Sequence, residues 1–508
     1  MRKFMVLGIL LLLTGTASRA NDLYIAQNST GGGNGSDCLN ALAANWFNSS
    51  SSWGTGASQI GPGTIVHLCG TIGIALTAQG NGASGNPVTI RFESGARLSQ
   101  PAAVGNFLNL GGYSHFVVDG NGVGVIENTA NGSALAHQVN GSVGINYSGS
   151  SDVEIKKLTI QNLYVHVQNS SESIDQTTTN CTKGGGGSTI KIHDNVMHDV
   201  GWCIYTINGA ADSDVEIYNN SISRSDHAIA ITAASSGNKL TALTIHDNHI
   251  FSYANWDNGG SFHHDGIHMY GTGTSSVNGF QLYNNLFEGP VGTSITAHLF
   301  MEHGGSDAHV SNFNIYNNVA TTNDNSNLNN GLFGIFSGDS GTNQVYNNTL
   351  VGASNSSGLC LSVANIVGLK LKNNVITSCS QIIRFTSNTY SAGSVDYNLY
   401  GNIGGNGNAF YANGTFCGNL SAWQSAASAD AHSSSPLSIG LSASYVPQTG
   451  SAAIGAATNL TGLGITSLDN DRLGNLRPTS GAWDSGAYSS GTVTNQVVPP
   501  TALVATVN

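Results

Sequence analysis

Between residues 150 and 375 one short phrase recurs seven times, and its spacing limits the folds open to the chain. The phrase is an aliphatic residue, a polar or aromatic residue, then a pair ending in Asn. It reads Ile192-His193-Asp194-Asn195, Ile217-Tyr218-Asn219-Asn220, Ile245-His246-Asp247-Asn248, Leu282-Tyr283-Asn284-Asn285, Ile315-Tyr316-Asn317-Asn318, Val345-Tyr346-Asn347-Asn348 and Leu371-Lys372-Asn373-Asn374. Successive final Asn residues are 25, 28, 37, 33, 30 and 26 positions apart. A constant minimum with a variable excess is a fixed rung carrying inserted loops. Each rung alternates apolar and polar residues, meets the Asn-rich turn, and resumes in a second apolar stretch such as Cys203-Ile204-Tyr205, Ala228-Ile229-Ala230 or Gly266-Ile267-His268. That is strand patterning. Such rungs are too short for a four-stranded propeller blade and lack the helix of leucine-rich or ankyrin units, but they match one coil of a parallel β-helix. Stacking the coils buries an aliphatic ladder and lines up the final Asn residues, whose amides can then hydrogen-bond along the axis.

Composition agrees. The 508 residues include 66 Gly and 9 Pro, with 9% charged and 40% hydrophobic side chains and a net charge of -12. Coiled coils and helical repeats need more Ala, Glu, Lys and Leu, and disordered chains carry more charge and fewer apolar residues. Residues 1–20 are expected to be a secretory signal peptide, with Arg2 and Lys3, the apolar stretch Phe4 to Leu13, and Ser18-Arg19-Ala20 at the cleavage point. The apolar run is about half the roughly 20 residues that span a bilayer, so no membrane span is expected and an extracellular or periplasmic protein is. Cleavage removes three basic residues, giving -12 - 3 = -15, which argues against a nucleic-acid partner. Seven cysteines leave at least one unpaired; Cys38 with Cys69 and Cys360 with Cys379 are the candidate disulfides, with buried free thiols as the alternative. Residues 491–508 are expected to be a flexible tail, and the chain is expected to be monomeric.

These repeats resemble those of the pectate-lyase-like superfamily of right-handed parallel β-helix proteins over most of the chain. Two flanks share the resemblance. One is Ile60-Gly61-Pro62-Gly63-Thr64-Ile65-Val66-His67-Leu68-Cys69-Gly70 with Gly85-Asn86-Pro87-Val88-Thr89-Ile90; the other is Asp396-Tyr397-Asn398-Leu399-Tyr400, Asp471-Arg472-Leu473-Gly474 and Asp484-Ser485-Gly486-Ala487-Tyr488. The implied layout is a signal peptide (1–20), an N-terminal cap region (21–63), a β-helix (64–400), a closing segment (401–490) and the tail (491–508). The resemblance implies an all-β right-handed solenoid whose relatives include polysaccharide lyases, glycoside hydrolases, uronate epimerases and non-catalytic adhesins. An extracellular polysaccharide is the expected partner.

Function on such a rod sits where inserted loops build a groove. The widest spacings fall between Asn248 and Asn318. Of 16 histidines, eight (246, 249, 263, 264, 268, 298, 303 and 309) lie in a 64-residue window where even spacing gives about two. Aligning Ile229 with Ile267 stacks Asp226 against His264 and His227 against Asp265. A carboxylate beside an imidazole raises its pKa and fixes its tautomer, as general acid–base chemistry requires. Candidate catalytic residues are therefore Asp226, His227, His263, His264, Asp265 and His268, with Glu302 and His303 from the next insertion. The outward column that includes Tyr218, Tyr283 and Tyr316 is either a sugar-stacking platform or aromatic side chains shielding one another. With Trp256 and Arg384, those tyrosines are the candidate substrate-binding residues.

Three reactions compete. A lyase needs a base and, often, calcium to neutralise a uronate carboxylate; Asp257 and Asp265 are the candidate calcium ligands, Lys191, Arg224 and Arg384 the possible bases, and His264 or His268 their substitutes. An epimerase begins in the same way, but the Asp-Pro-His-Asp motif of some such enzymes is absent. A glycoside hydrolase needs two carboxylates, which Asp226, Asp265 and Glu302 can supply. Zinc ranks below acid–base work, because fully extended His264 and His268 stand about 13 Å apart and sharing a metal requires His263 or a loop residue to curl in. An adhesin or glycan-binding rod predicts the aromatic column without a convergent acid–base cluster.

Overall fold

The computed structural model describes residues 22–131, 141–165, 176–207, 212–233, 239–254, 256, 263–271, 274, 276–291, 295–303, 309–322, 328, 330–338, 340–353, 358–403 and 407–490. The expected signal peptide, the tail and Asp257 lie outside them, and the His303 side chain is likewise not described.

The chain forms the expected right-handed parallel β-helix. Among the described residues 37 strands join in one continuous ladder. Strand pairing is parallel from Asp22–Ala26 onward and turns antiparallel only at the end, where Phe410–Ala412 meets Thr415–Cys417. Each coil contributes to three sheets. The first runs through Ser188–His193, Asp212–Tyr218, Lys239–His246, Gln281–Tyr283, Asn314–Tyr316, Asn343–Tyr346 and Leu369–Lys372. Its inward residues, Ile192, Ile217, Ile245, Leu282, Ile315, Val345 and Leu371, are buried in the main core. Burying each such side chain stabilises the rod by about 1.5–3 kcal/mol.

The corner between the first and second sheets explains the repeated phrase. Its third residue has a left-handed backbone, with φ of 56° at Asp194, 52° at Asn219, 54° at Asp247, 56° at Asn284, 54° at Asn317, 48° at Asn347 and 62° at Asn373. Asp and Asn tolerate that conformation best among residues with a β-carbon. The Asn that follows is turned inward. Asn220 Nδ2 donates back to Ile192 O at 2.9 Å and forward to Asn248 Oδ1 at 3.0 Å. The same 3.0 Å amide link repeats from Asn195 to Asn398. Each amide of this column from Asn195 to Asn374 thus ties three coils together.

At the N-terminal end, Asp22–Ala26 already pairs with Ile65–Cys69, so the ladder begins inside the stretch assigned to the cap. Disulfides join Cys38 to Cys69 and Cys360 to Cys379, and a third, not foreseen, joins Cys181 to Cys203 on adjoining coils; Cys417 is free and buried. At the other end the helix Leu420–Ala427 plugs the core with Trp423. Residues 430–490 then run back along the outside of the rod. Trp483, Leu460 and Leu468 pack on Tyr316 and Tyr346, while Arg477 donates to Asn317 Oδ1 at 2.9 Å.

Candidate active site

The strands Ser221–Ala233, His264–Gly271 and Ile295–His303 lie side by side in the third sheet. Their register pairs Ile229 with Ile267 and Leu299, Ala230 with His268 and Phe300, and Thr232 with Tyr270 and Glu302. This alignment brings the expected residues together. The register shifts between His264, opposite Ile295, and Asp265, opposite Ala297, so Thr296 is an extra residue that bulges the Ile295–His303 strand beside the cluster. Gly266 permits the close approach there, since a β-carbon on it would collide with the His298 carbonyl and the Tyr253 hydroxyl.

Asp226 and Asp265 are both buried, Asp265 with no exposed surface. Asp226 Oδ1 faces His227 Nδ1 at 2.6 Å, and its Oδ2 faces His264 Nε2 at 3.1 Å. Asp265 Oδ2 meets His263 Nδ1 at 2.8 Å, with His227 Nε2 at 3.5 Å and His268 Nδ1 at 3.8 Å. Its other oxygen accepts the Ala297 N–H at 3.1 Å. Glu302 closes the group, with Oε1 3.2 Å from His268 Nε2. Burial opposes ionisation throughout, but the carboxylates prevail at His227, whose pKa is pushed up to about 9 by Asp226 and Asp265. Burial likewise works against Asp226 and Asp265, yet the surrounding imidazoles hold both below the usual carboxylate range. His268 goes the other way: burial lowers it, helped by His227 and His263 and countered by Glu302 and Asp265.

Only two described side chains of the cluster reach solvent to any extent, His263 at 43% exposure and Glu302 at 37%. His264 and His268 are both buried. Aromatic rings that were not among the expected site residues pack against the histidines. Trp202 lies 4.3 Å from His227, Tyr270 4.6 Å from His268 and Phe300 5.2 Å from His268. Extending the Ile204–Ile229–Ile267–Leu299 alignment by two residues finds Trp202, and by one residue finds Phe300.

The other expected site residues go elsewhere. Tyr218, Tyr283 and Tyr316 stack with His193 and His246 in an unbroken column, rings 4.5–5.0 Å apart and nearly parallel, but on the first sheet and not the third. Tyr316 has no exposed surface because the returning C-terminal segment covers it, and Tyr283 is partly covered by the same segment. A sugar platform at Tyr316 is therefore ruled out. Trp256 stacks on Tyr164 at 3.9 Å and donates to Val200 O, so its ring is engaged against the rod. Arg384 shares the outward row of His268 but stands four coils away, about 19 Å along the axis, and bonds Gln381. Among the remaining clustered histidines, His246, His249 and His298 pair with Asp247, Glu288 and Tyr253, which is structural work.

Calcium takes six to eight oxygen ligands. Of the two expected calcium ligands Asp257 lies outside the described residues, and Asp265 sits among three imidazoles with no second described carboxylate beside it.

No protein-family model matches the chain, and no curated protein matches it. Solved structures overlap with it weakly. A lacto-N-biosidase from Eubacterium ramulus aligns at TM-score 0.43 and 9% identity over 72% of this chain, which spans 64% of that protein's length. An exopolygalacturonase from Thermotoga maritima aligns at TM-score 0.33 and 10% identity, covering 67% of this chain and 79% of its own. A DFA-IIIase from Arthrobacter chlorophenolicus A6 aligns at TM-score 0.37 and 13% identity, covering 84% and 97%. Overlaps of this size carry no inference about activity; the fold stands on the strand register.

Proposed function

We propose that this chain is a carbohydrate-active enzyme that cuts an extracellular uronate-containing polysaccharide by β-elimination, with Glu302 as the base. The supporting observation is the division of the cluster by accessibility. Its two Asp carboxylates are buried and engaged by imidazoles, which leaves Glu302 as the one described carboxylate of the cluster that a substrate can reach. Hydrolysis by paired carboxylates needs a second one across the glycosidic bond. Elimination needs one base. That base removes the proton α to the uronate carboxylate, the C–H electron pair forms the double bond, and the glycosidic oxygen leaves and takes a proton from water. His268 Nε2 orients Glu302 for this task. Three disulfides suit an oxidising compartment, which supports a location outside the cytoplasm.

The test is incubation with a panel of acidic and neutral polysaccharides, following unsaturated-uronate absorbance together with new reducing ends. Absorbance that Glu302→Gln lowers by about 10²–10⁴-fold is the expected result. Reducing ends without absorbance would overturn elimination in favour of hydrolysis, and silence on every substrate would favour a binding rod.

A further inference from the structure

We propose that His227, His263, Asp265 and His268 form a binding site for a divalent first-row transition-metal ion, with zinc as the reference ion. One donor atom from each of the four lies within 4.8 Å of all the others. Around a tetrahedral ion with bonds of about 2.0–2.1 Å, ligand atoms stand roughly 3.4 Å apart. The distances from Asp265 Oδ2 to His263 Nδ1, His227 Nε2 and His268 Nδ1 are 2.8, 3.5 and 3.8 Å, which straddle that value. His263 curls back over the strand, supplying the third imidazole that extended backbone alone cannot bring.

Two further observations point to an ion and not merely to a polar network. His227 Nε2 and His268 Nδ1 are deeply buried and make no hydrogen bond, although buried ring nitrogens normally find a partner. Both are aimed at the same carboxylate oxygen. The far side of three of the four ligands is also anchored. His227 Nδ1 is held by Asp226 at 2.6 Å, His268 Nε2 by Glu302 at 3.2 Å, and Asp265 Oδ1 by the Ala297 amide at 3.1 Å. A carboxylate on one imidazole nitrogen fixes the tautomer and frees the other nitrogen for a metal. Three imidazoles and a carboxylate suit zinc, iron, nickel or copper. His263, at 43% exposure, gives the four-residue group its one face toward solvent among the described residues.

No Lys or Arg belongs to the described cluster, so a dication would also supply the positive charge that a uronate carboxylate requires. That consequence rests on the elimination reading; the binding does not.

The experiment uses the untagged chain, stripped with chelator, reloaded with Zn²⁺ for elemental analysis, and titrated with Co²⁺ while visible absorption is followed. One tightly held equivalent per chain and a low-symmetry Co²⁺ spectrum are expected. His263→Ala, a change at an exposed side chain, should remove that spectrum, and Glu302→Gln should weaken binding about 10–100-fold. His249→Ala, on the Glu288 pair outside the cluster, should change neither. Binding of less than one equivalent, or binding that His263→Ala leaves intact, would overturn the proposal. Metal binding without glycan cleavage would sink elimination alone, and cleavage by a chain that binds no metal would sink the metal site alone.

Discussion

Asp199 shows how single side chains hold the outer surface of the rod, and it yields a pH dependence. Its carboxylate receives Arg224 Nε at 2.6 Å and also contacts Arg224 Nη2 and His198 Nδ1. Burial works against ionisation, but Arg224 and His198 outweigh it and hold the carboxyl below its ordinary value of 3.8. A lowered carboxylate pKa contributes stability above the ordinary value, and that stability disappears as pH falls through the folded value. Wild type should therefore exceed Asp199→Asn by about 1 kcal/mol near neutrality, given that Arg224 is half exposed. The gap should close below about pH 4; thermal melts of both proteins across that range check it, and a constant gap would refute it. At this scale the sequence is legible where register decides. The partners Asp226–His264 and His227–Asp265 follow from matching Ile229 to Ile267. The contact of His263 with Asp265 does not follow, because His263 lies just outside the strand His264–Gly271 and at no repeating position.

The Asn column is the element that makes the coils cooperate. Asn285 Nδ2 donates to Ile245 O, Tyr283 O and Asn318 Oδ1, each at 3.0 Å, and its Oδ1 accepts both the backbone N–H and the side-chain amide of Asn248. Alanine there leaves several buried groups without partners, at a cost of about 2–3 kcal/mol. Asn285→Asp should fare no better, since it keeps the acceptors, loses the donors and buries a charge. Repeat proteins respond mainly through neighbouring coils. Hydrogen exchange should accordingly accelerate at residues 245–250 and 315–320 and stay unchanged near 155; uniform exchange along the rod would contradict this. Such a column is readable from sequence because its chemistry repeats. The cysteines were only partly readable. Cys181 and Cys203 are 22 residues apart, between the 19 of Cys360–Cys379 and the 31 of Cys38–Cys69, so separation along the chain does not single that pair out and only the stacking of its two strands does.

Over the whole molecule, the C-terminal segment acts as a brace that joins coils far apart in sequence. Arg477 is buried against Asn317 and the Trp483 ring, and burial lowers its pKa to about 10 in spite of the nearby Asp471 and Asp484. Asn373 exchanges hydrogen bonds with Thr458 in both directions, and Ala487 N donates to Thr349. The same segment hides Tyr316 and Tyr346 of the aromatic column, which looked available from their outward position in the repeat, and leaves Tyr218 uncovered. No periodic pattern marks residues 430–490, so their docking site was invisible to an argument built on periodicity. Trp483→Ala removes the largest side chain of the interface, and by the usual cost of truncating a buried Trp it should weaken docking by about 3–5 kcal/mol. The loss should be local. Limited proteolysis should then cut between 430 and 490 much faster, and amides of the coils from 315 to 375 should lose protection, while coils before 250 keep theirs because each contacts only its neighbours. Simultaneous loss of protection along the entire rod would mean instead that the brace and the β-helix unfold as one cooperative unit.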